Sequence, residues 1–252
     1  MSETETTASI TFGNVAFYTT SFLMIFAPIV GYIHQFIKFR KLNTSEGYSS
    51  KISLILLISN TLRIFFWFGK KFSIVLIFQS IVMMIMQIVL LIRSLQYKSK
   101  KEGYEDFTLT NFWEWPYYSD YFHFLTSFVI FLGILTPVVG YDNTFYFEIL
   151  GILSATTEAS LQIPQIYKNF MFKSANSLSY LLVATWLFGD AFKSGYLIII
   201  ESPIQMVLCG VIQVLFDLII ILQVIYYNRQ SETKTESELR ERSNSIEDPI
   251  SL

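Results

Sequence analysis

One cysteine and two histidines in 252 residues leave little room for metal or thiol chemistry. Cys209 lies inside an apolar run, so no disulfide forms within one chain and the thiol is read as a small packing residue. His34 and His123 are too few for a histidine-built metal site. Charge is scarce as well, at 15% of residues, where a soluble domain carries about a quarter. A phosphate-cradling glycine loop, a Ser-His-Asp set and a cluster of metal ligands are all missing, so neither catalysis nor a cofactor is expected. A net charge of −2 with no separate basic patch argues against nucleic acid as a partner. The start, Met1-Ser2-Glu3-Thr4-Glu5-Thr6, lacks the positive charge that opens a secretory signal, so the first apolar segment is expected to stay as a membrane helix.

What the chain has instead is apolar mass: 52% hydrophobic residues and 17% aromatic, with the charges gathered between apolar runs and near the end. A bilayer core needs about 20 apolar residues per helix. Runs of that kind lie at about 15–37, 52–69, 72–93, 121–140, 145–168, 178–200 and 204–227. Backbone groups cannot go unpaired in lipid, so seven transmembrane helices are expected in an all-α membrane protein. Gly69-Lys70-Lys71 separates the second and third as a tight hairpin, and Pro203 is placed to start the seventh.

Of the 18 Lys and Arg residues, 14 fall in the 1–2, 3–4 and 5–6 loops or in the tail. Lys70 and Lys71 fall on the opposite side, and Arg63 and Lys193 fall within spans. The positive-inside rule then puts the C-terminus in the cytosol and the N-terminus in the lumen. It also places the sequon Asn43-Thr44-Ser45 on the cytosolic side, where it carries no glycan. Residues 1–14 read as a lumenal tail and 228–252 as a disordered cytosolic tail, a candidate contact for trafficking proteins. The 94–120 loop carries Phe112-Trp113-Glu114-Trp115 and Tyr117-Tyr118, which reads as an aromatic belt at the interface, with a lipid or partner surface as the alternative.

Sliding the chain against itself by 130 residues aligns polar residues that are rare in membrane spans. Gln35 meets Gln165, Lys38 meets Lys168 and Ser49 meets Ser179; Asn60 meets Asp190, Arg63 meets Lys193 and Gln87 meets Asp217. Residues 15–93 and 145–227 are then two three-helix repeats, with 121–140 as the connector. The added helix resets the direction of the chain, so the repeats are parallel, a 3+1+3 arrangement like that of SWEET-type transporters.

The stretch Leu161-Gln162-Ile163-Pro164-Gln165-Ile166-Tyr167-Lys168-Asn169, followed by Ser177-Leu178-Ser179, resembles the PQ-loop repeat family. The blocks Ser59-Asn60-Thr61-Leu62-Arg63 to Gly69, Phe188-Gly189-Asp190-Ala191-Phe192-Lys193 and Phe112-Trp113-Glu114-Trp115 narrow the likeness to its solute carrier 66 branch, over roughly residues 20–227. That resemblance implies phospholipid translocation between leaflets and endosome-to-Golgi retrograde transport in endosomal or trans-Golgi membranes. Its other implication is proton-coupled export of an amino-acid-like solute, with Asp190 or Glu158 carrying the proton. Membrane lipids, a small solute or protons are accordingly the expected cargo. Where the second half has Pro164-Gln165 the first has His34-Gln35, so equal proline hinges are not expected, although Pro28 lies nearly two turns earlier.

An ionisable residue inside a span costs about 2.5–3.5 kcal/mol at its centre on insertion scales, and it is a site candidate for that reason. Glu158, Gln162 and Gln165 are spaced to share one helix face, as are Asp190 with Lys193, Asn60 with Arg63, and Gln213 with Asp217. The structural alternatives are that Asp190 and Lys193 neutralise each other, that Arg63 snorkels to the lumenal surface, and that Glu158 bonds a neighbouring helix. Mirrored polar faces in both halves favour a shared hydrophilic path, with Asp190 as its leading residue.

Overall fold

The computed structural model describes residues 2–42, 50–98, 115, 117–173 and 180–247. Among these residues the chain is helical and has no strand. Helix α1 spans Ser2–Phe26 and passes through a 3-10 turn at Ala27–Ile29 into α2, Val30–Leu42. Then follow α3 (Ser50–Gly69), α4 (Ile74–Lys98), α5 (Tyr118–Val139) and α6 (Thr144–Ala159). A second 3-10 turn at Ser160–Gln162 leads into α7 (Ile163–Phe172), and α8 (Tyr180–Ile199) and α9 (Ile204–Glu247) complete the order. Taking each broken helix as one gives the seven expected segments. The sequon at 43–45, most of the 94–120 loop and Ser177-Leu178-Ser179 lie outside the described residues.

Among the described residues, five stretches are long and apolar enough to cross a membrane: Asn14–Lys41, Ser50–Gly69, Ile74–Gln96, Tyr118–Val139 and Ile204–Gln230. The expected fifth span is helical but broken, its two pieces being 16 and 10 residues long. The expected sixth is α8, which carries both Asp190 and Lys193. Large apolar side chains cover the outside. Ile199 is 82% exposed, and Phe188, Val138 and Phe145 are each at least 75% exposed. Water does not tolerate such a surface, whereas lipid does.

Both broken helices owe their break to proline. Pro28 sits in the first 3-10 turn, which closes with Val30 N–H donating to Ala27 O. Pro164, in the first turn of α7, has no N–H to offer the preceding turn, and Ile163 N–H closes it to Ser160 O instead. The first half has no proline at the position of His34, and Pro28, nearly two turns earlier, breaks its first helix.

The chain forms two compact units, one of Met1–Glu158 with Tyr196–Cys209, the other of Ala159–Gly195 with Gly210–Leu252. In the first, α4 packs against α3 and also against α1 and α2, so the third helix of that bundle lies between the other two. One core there joins Leu57, Leu91, Leu95 and Tyr121, with Trp115 and Phe124 packed against it. Tyr121 donates its hydroxyl to Trp115 O at 3.1 Å. Trp115 and Tyr121 thus turn inward rather than forming an interfacial belt, while Tyr117 and Tyr118 stay exposed. In the second unit, Val183, Ile220 and Val224 bury one another with Ile166 alongside, which joins α7, α8 and α9.

Two ends differ from expectation. The helical backbone of α1 begins at Ser2, inside the expected lumenal tail, and α9 continues to Glu247, inside the expected disordered tail. The sequence of the latter places Glu236 four residues before Arg240 and Glu238 four before Arg242. Pairs of that order support a helix even where no apolar face does.

Candidate functional site

The polar residues of the spans fall into two groups, one in each unit. In the first unit they lie where α3 faces α6. Arg63, 4% exposed, makes an ion pair through Nη2 with Glu158 Oε2. Ser154 Oγ donates to Ser59 O at 2.8 Å. The helices approach closely beside these bonds: a Cβ on Gly151 would stand 2.8 Å from the Phe66 ring, and one on Gly69 would overlap the ring of Phe147. Glycine is needed at both positions because no side chain fits. Arg63 therefore does not snorkel; it is buried and held by a carboxylate of α6.

Elsewhere in this unit, Asn60 is 3% exposed and donates to Leu56 O of its own helix at 2.7 Å. Gln87, fully buried, accepts from Ser53 Oγ at 3.0 Å. His34 is exposed and Gln35 is half-buried, both on α2.

The second unit holds a different group. Gln162 ends the 3-10 turn, and its Nε2 donates to Asp217 Oδ1 at 2.6 Å and to Asp190 Oδ2 at 3.1 Å. One amide from the broken helix thus spans carboxylates from α8 and α9. Asp217 is fully buried. Its Oδ2 and the Oε1 of Gln162 are both buried without a hydrogen-bond partner. Lys193 Nζ donates to Gln213 Oε1 at 3.0 Å, tying α8 to α9 a second time. Further along α7, Gln165 Nε2 donates to Asn169 Oδ1 at 2.8 Å. Asn169 Nδ2 passes the chain on to Gln223 Oε1 at 3.1 Å, and Gln223 Nε2 donates to Ile166 O at 3.1 Å.

The structure therefore brings Gln162, Asp190 and Asp217 together, and it joins Arg63 to Glu158. It does not keep Glu158, Gln162 and Gln165 as one bonded face. Each finds separate partners, because the 3-10 turn at 160–162 changes the rotation per residue between them. The sequence reading missed Gln223, and it had Asn169 only as part of the motif. An amide within the apolar run of α9, six residues beyond Asp217, was the available signal. Among the described residues no group of His, Cys, Asp and Glu has the makings of a metal site.

An apolar exterior, helices of membrane-spanning length and bonded polar groups between them define a multi-pass helical membrane protein. The PQ-loop repeat model matches residues 146–206, the stretch that holds Gln162, Pro164, Gln165 and Asp190. The chain thus carries a PQ-loop repeat, in keeping with the resemblance of its sequence to that family. It is 24% identical to the scramblase ANY1 of Saccharomyces cerevisiae, over 81% of this chain and 69% of that protein. It is also 32% identical to the vacuolar histidine transporter YPQ3 and 30% identical to the vacuolar lysine transporter YPQ1 of the same yeast. Those two alignments take in 36% and 33% of this chain, and 29% and 27% of the transporters.

Proposed function

We propose that the protein moves phospholipids between the leaflets of an endomembrane without energy input, and that it serves retrograde transport from endosome to Golgi. The observation that carries this reading is the likeness to a scramblase along most of the chain. The residues support it physically. A headgroup crossing the bilayer needs a polar lining beside helices that still face lipid, and Gln162, Asp190, Lys193, Gln213 and Asp217 are polar groups set among apolar helices. The lysine-rich loops argue for a lumenal N-terminus and a cytosolic C-terminus. The two three-helix repeats, 15–93 and 145–227, with 121–140 between them, are the architecture we assign to it.

The second reading is proton-coupled transport of an amino-acid-like solute, favoured by the stretches that resemble the two vacuolar transporters. Reconstitution of the purified protein in liposomes separates the two. Under the first reading, acyl-labelled lipid reaches the outer leaflet faster than in protein-free vesicles, with no ion gradient applied. Lysine or histidine uptake driven by a proton gradient, with lipid staying in place, decides for the second.

A further inference from the structure

The first unit treats its cations differently at its two ends. Toward the 69–71 hairpin each has a partner: Arg63 pairs with Glu158, Lys70 with Glu148 at 2.6 Å, and Lys71 Nζ lies 3.9 Å over the Trp67 ring. At the other end Lys38, Arg40 and Lys41 lie in the last turns of α2 and Arg93 in the last two turns of α4, and all four are exposed. No Asp or Glu stands anywhere on α2, α3 or α4. Between Thr6 and Lys98 the sequence has a single acid, Glu46, outside the described residues. The start of α5 adds Asp120, which accepts from Ser119 Oγ at 3.3 Å.

Packing brings these cations to one edge. Helix α2 packs on α4, Phe39 is buried, and the Arg93 guanidinium lies 5.8 Å from the centre of the Phe36 ring. Arg40 follows Phe36 by four residues, so it stands one turn further along the same face. Arg93 Nη1 donates to Gln96 Oε1 at 3.1 Å. Ring and amide are both neutral, and neither cancels the charge. The second half does not repeat the arrangement. At the offset of 130, Phe170 and Met171 stand for Arg40 and Lys41, and Gln223 stands for Arg93; Lys38 alone of the four meets a cation, Lys168. Phe170 and Met171 are exposed, and Gln223 is bonded to Asn169 and Ile166. A general inside-positive bias asks for cations in the loops of either half. It gives no reason to gather them at the α2–α4 edge and leave the counterpart apolar.

The surroundings and the charge describe the occupant. Ile33 and Ile37 on α2 and Ile92 on α4 are exposed beside the cations, so a molecule seated there meets apolar chains and positive charge together. A phospholipid offers both, with its acyl chains on the isoleucines and its headgroup at the cations. Choline, ethanolamine and serine headgroups each carry an ammonium that these cations repel. A phosphomonoester brings only acceptors and close to two negative charges, and arginine grips it as a fork. We infer that Lys38, Arg40, Lys41 and Arg93 bind a phospholipid whose headgroup ends in a phosphomonoester. Its place in the cytosolic leaflet rests on the orientation proposed above; the binding itself does not.

Binding is tested on the full-length protein in maltoside detergent, where both faces are open. Dioctanoyl phosphatidylinositol 4-phosphate raises the unfolding temperature, while dioctanoyl phosphatidylserine and phosphatidylcholine do not. Arg40→Gln with Arg93→Gln weakens that binding about tenfold or more, the loss of charge-assisted bonds, and leaves the lipid-free unfolding temperature unchanged. Lys38→Gln with Lys41→Gln weakens it in the same direction and guards against misfolding of the first variant. Lys168→Gln with Lys173→Gln, which removes equal charge from the second unit, leaves binding unchanged. Equal weakening there shows that charge alone attracts the lipid and overturns the site, as does stabilisation by phosphatidylserine equal to that by the phosphoinositide. Inositol 1,4-bisphosphate, with the phosphates but no acyl chains, binds about tenfold or more weakly; binding as tight as the lipid's overturns a lipid as the occupant. A glycan on Asn43 overturns the cytosolic leaflet and leaves the binding standing, and absence of lipid movement in liposomes removes the scrambling reading without touching this site.

Discussion

The first unit ties its polar residues across α3 and α6 in pairs, whereas the second gathers two carboxylates around one amide. Where α3 meets α6, one cation meets one anion, hydroxyl meets carbonyl, and glycines let rings into the gaps. In the second unit, one amide is shared by two carboxylates; both units also keep buried polar atoms without a partner, Arg63 Nε and Gln79 Oε1 in the first and Gln162 Oε1 and Asp217 Oδ2 in the second. The lesson is that a buried charge by itself does not mark a working site. The Arg63–Glu158 pair ties two helices, and the Gln162 amide between Asp190 and Asp217 ties three.

The largest effect should come from opening the closed pair. Glu158→Leu leaves the Arg63 guanidinium buried without its counter-charge, at a cost of about 3–5 kcal/mol in stability. The double change Arg63→Met with Glu158→Leu returns most of that, read as unfolding temperature in detergent. If the single and double variants unfold alike, the pair does not hold the two helices.

Crowding the same seam comes next. Gly69→Ala forces a methyl into the Phe147 ring, which costs about 1–3 kcal/mol as overpacking. Phe147→Ala in that background should remove the clash, so a protein no better with the second change than without it speaks against ring contact as the cause.

In the second unit the expected loss is of activity, not of fold. Asp190→Asn should lower lipid or solute movement about tenfold or more, with little change in unfolding temperature, because the amide keeps the shape and loses the charge. Adding Lys193→Met tests whether the acid merely balances that lysine: recovered activity would show charge balance, and continued inactivity a direct role. Full activity in Asp190→Asn would remove Asp190 from the path.

The smallest effect belongs to the first unit's minor bond. Ser53→Ala takes the donor from the buried Gln87 carbonyl and should cost about 1 kcal/mol, with transport unchanged. A clear loss of transport there would extend the working region beyond the second unit.

The sequence by itself determined that this chain threads a membrane. Apolar runs of about 20 residues must be helical where water is absent, and four of the polar positions that the 130-residue offset picked out, Asn60, Arg63, Gln87 and Asp217, are buried in the structure. Pattern could not reveal which of those positions bond to one another. Equivalent positions carry unlike side chains: 130 residues before Gln162 stands Tyr32, a phenol where the second half has the bridging amide. Helical spacing put Glu158 and Gln162 on one face, but the 3-10 turn at 160–162 sits between them and sends each to a different partner. The inward turn of Trp115 was likewise hidden, since it depends on neighbours distant in the chain. Tertiary structure decided these because a buried hydrogen bond is set by where two helices meet, and periodicity along one helix carries no record of the other.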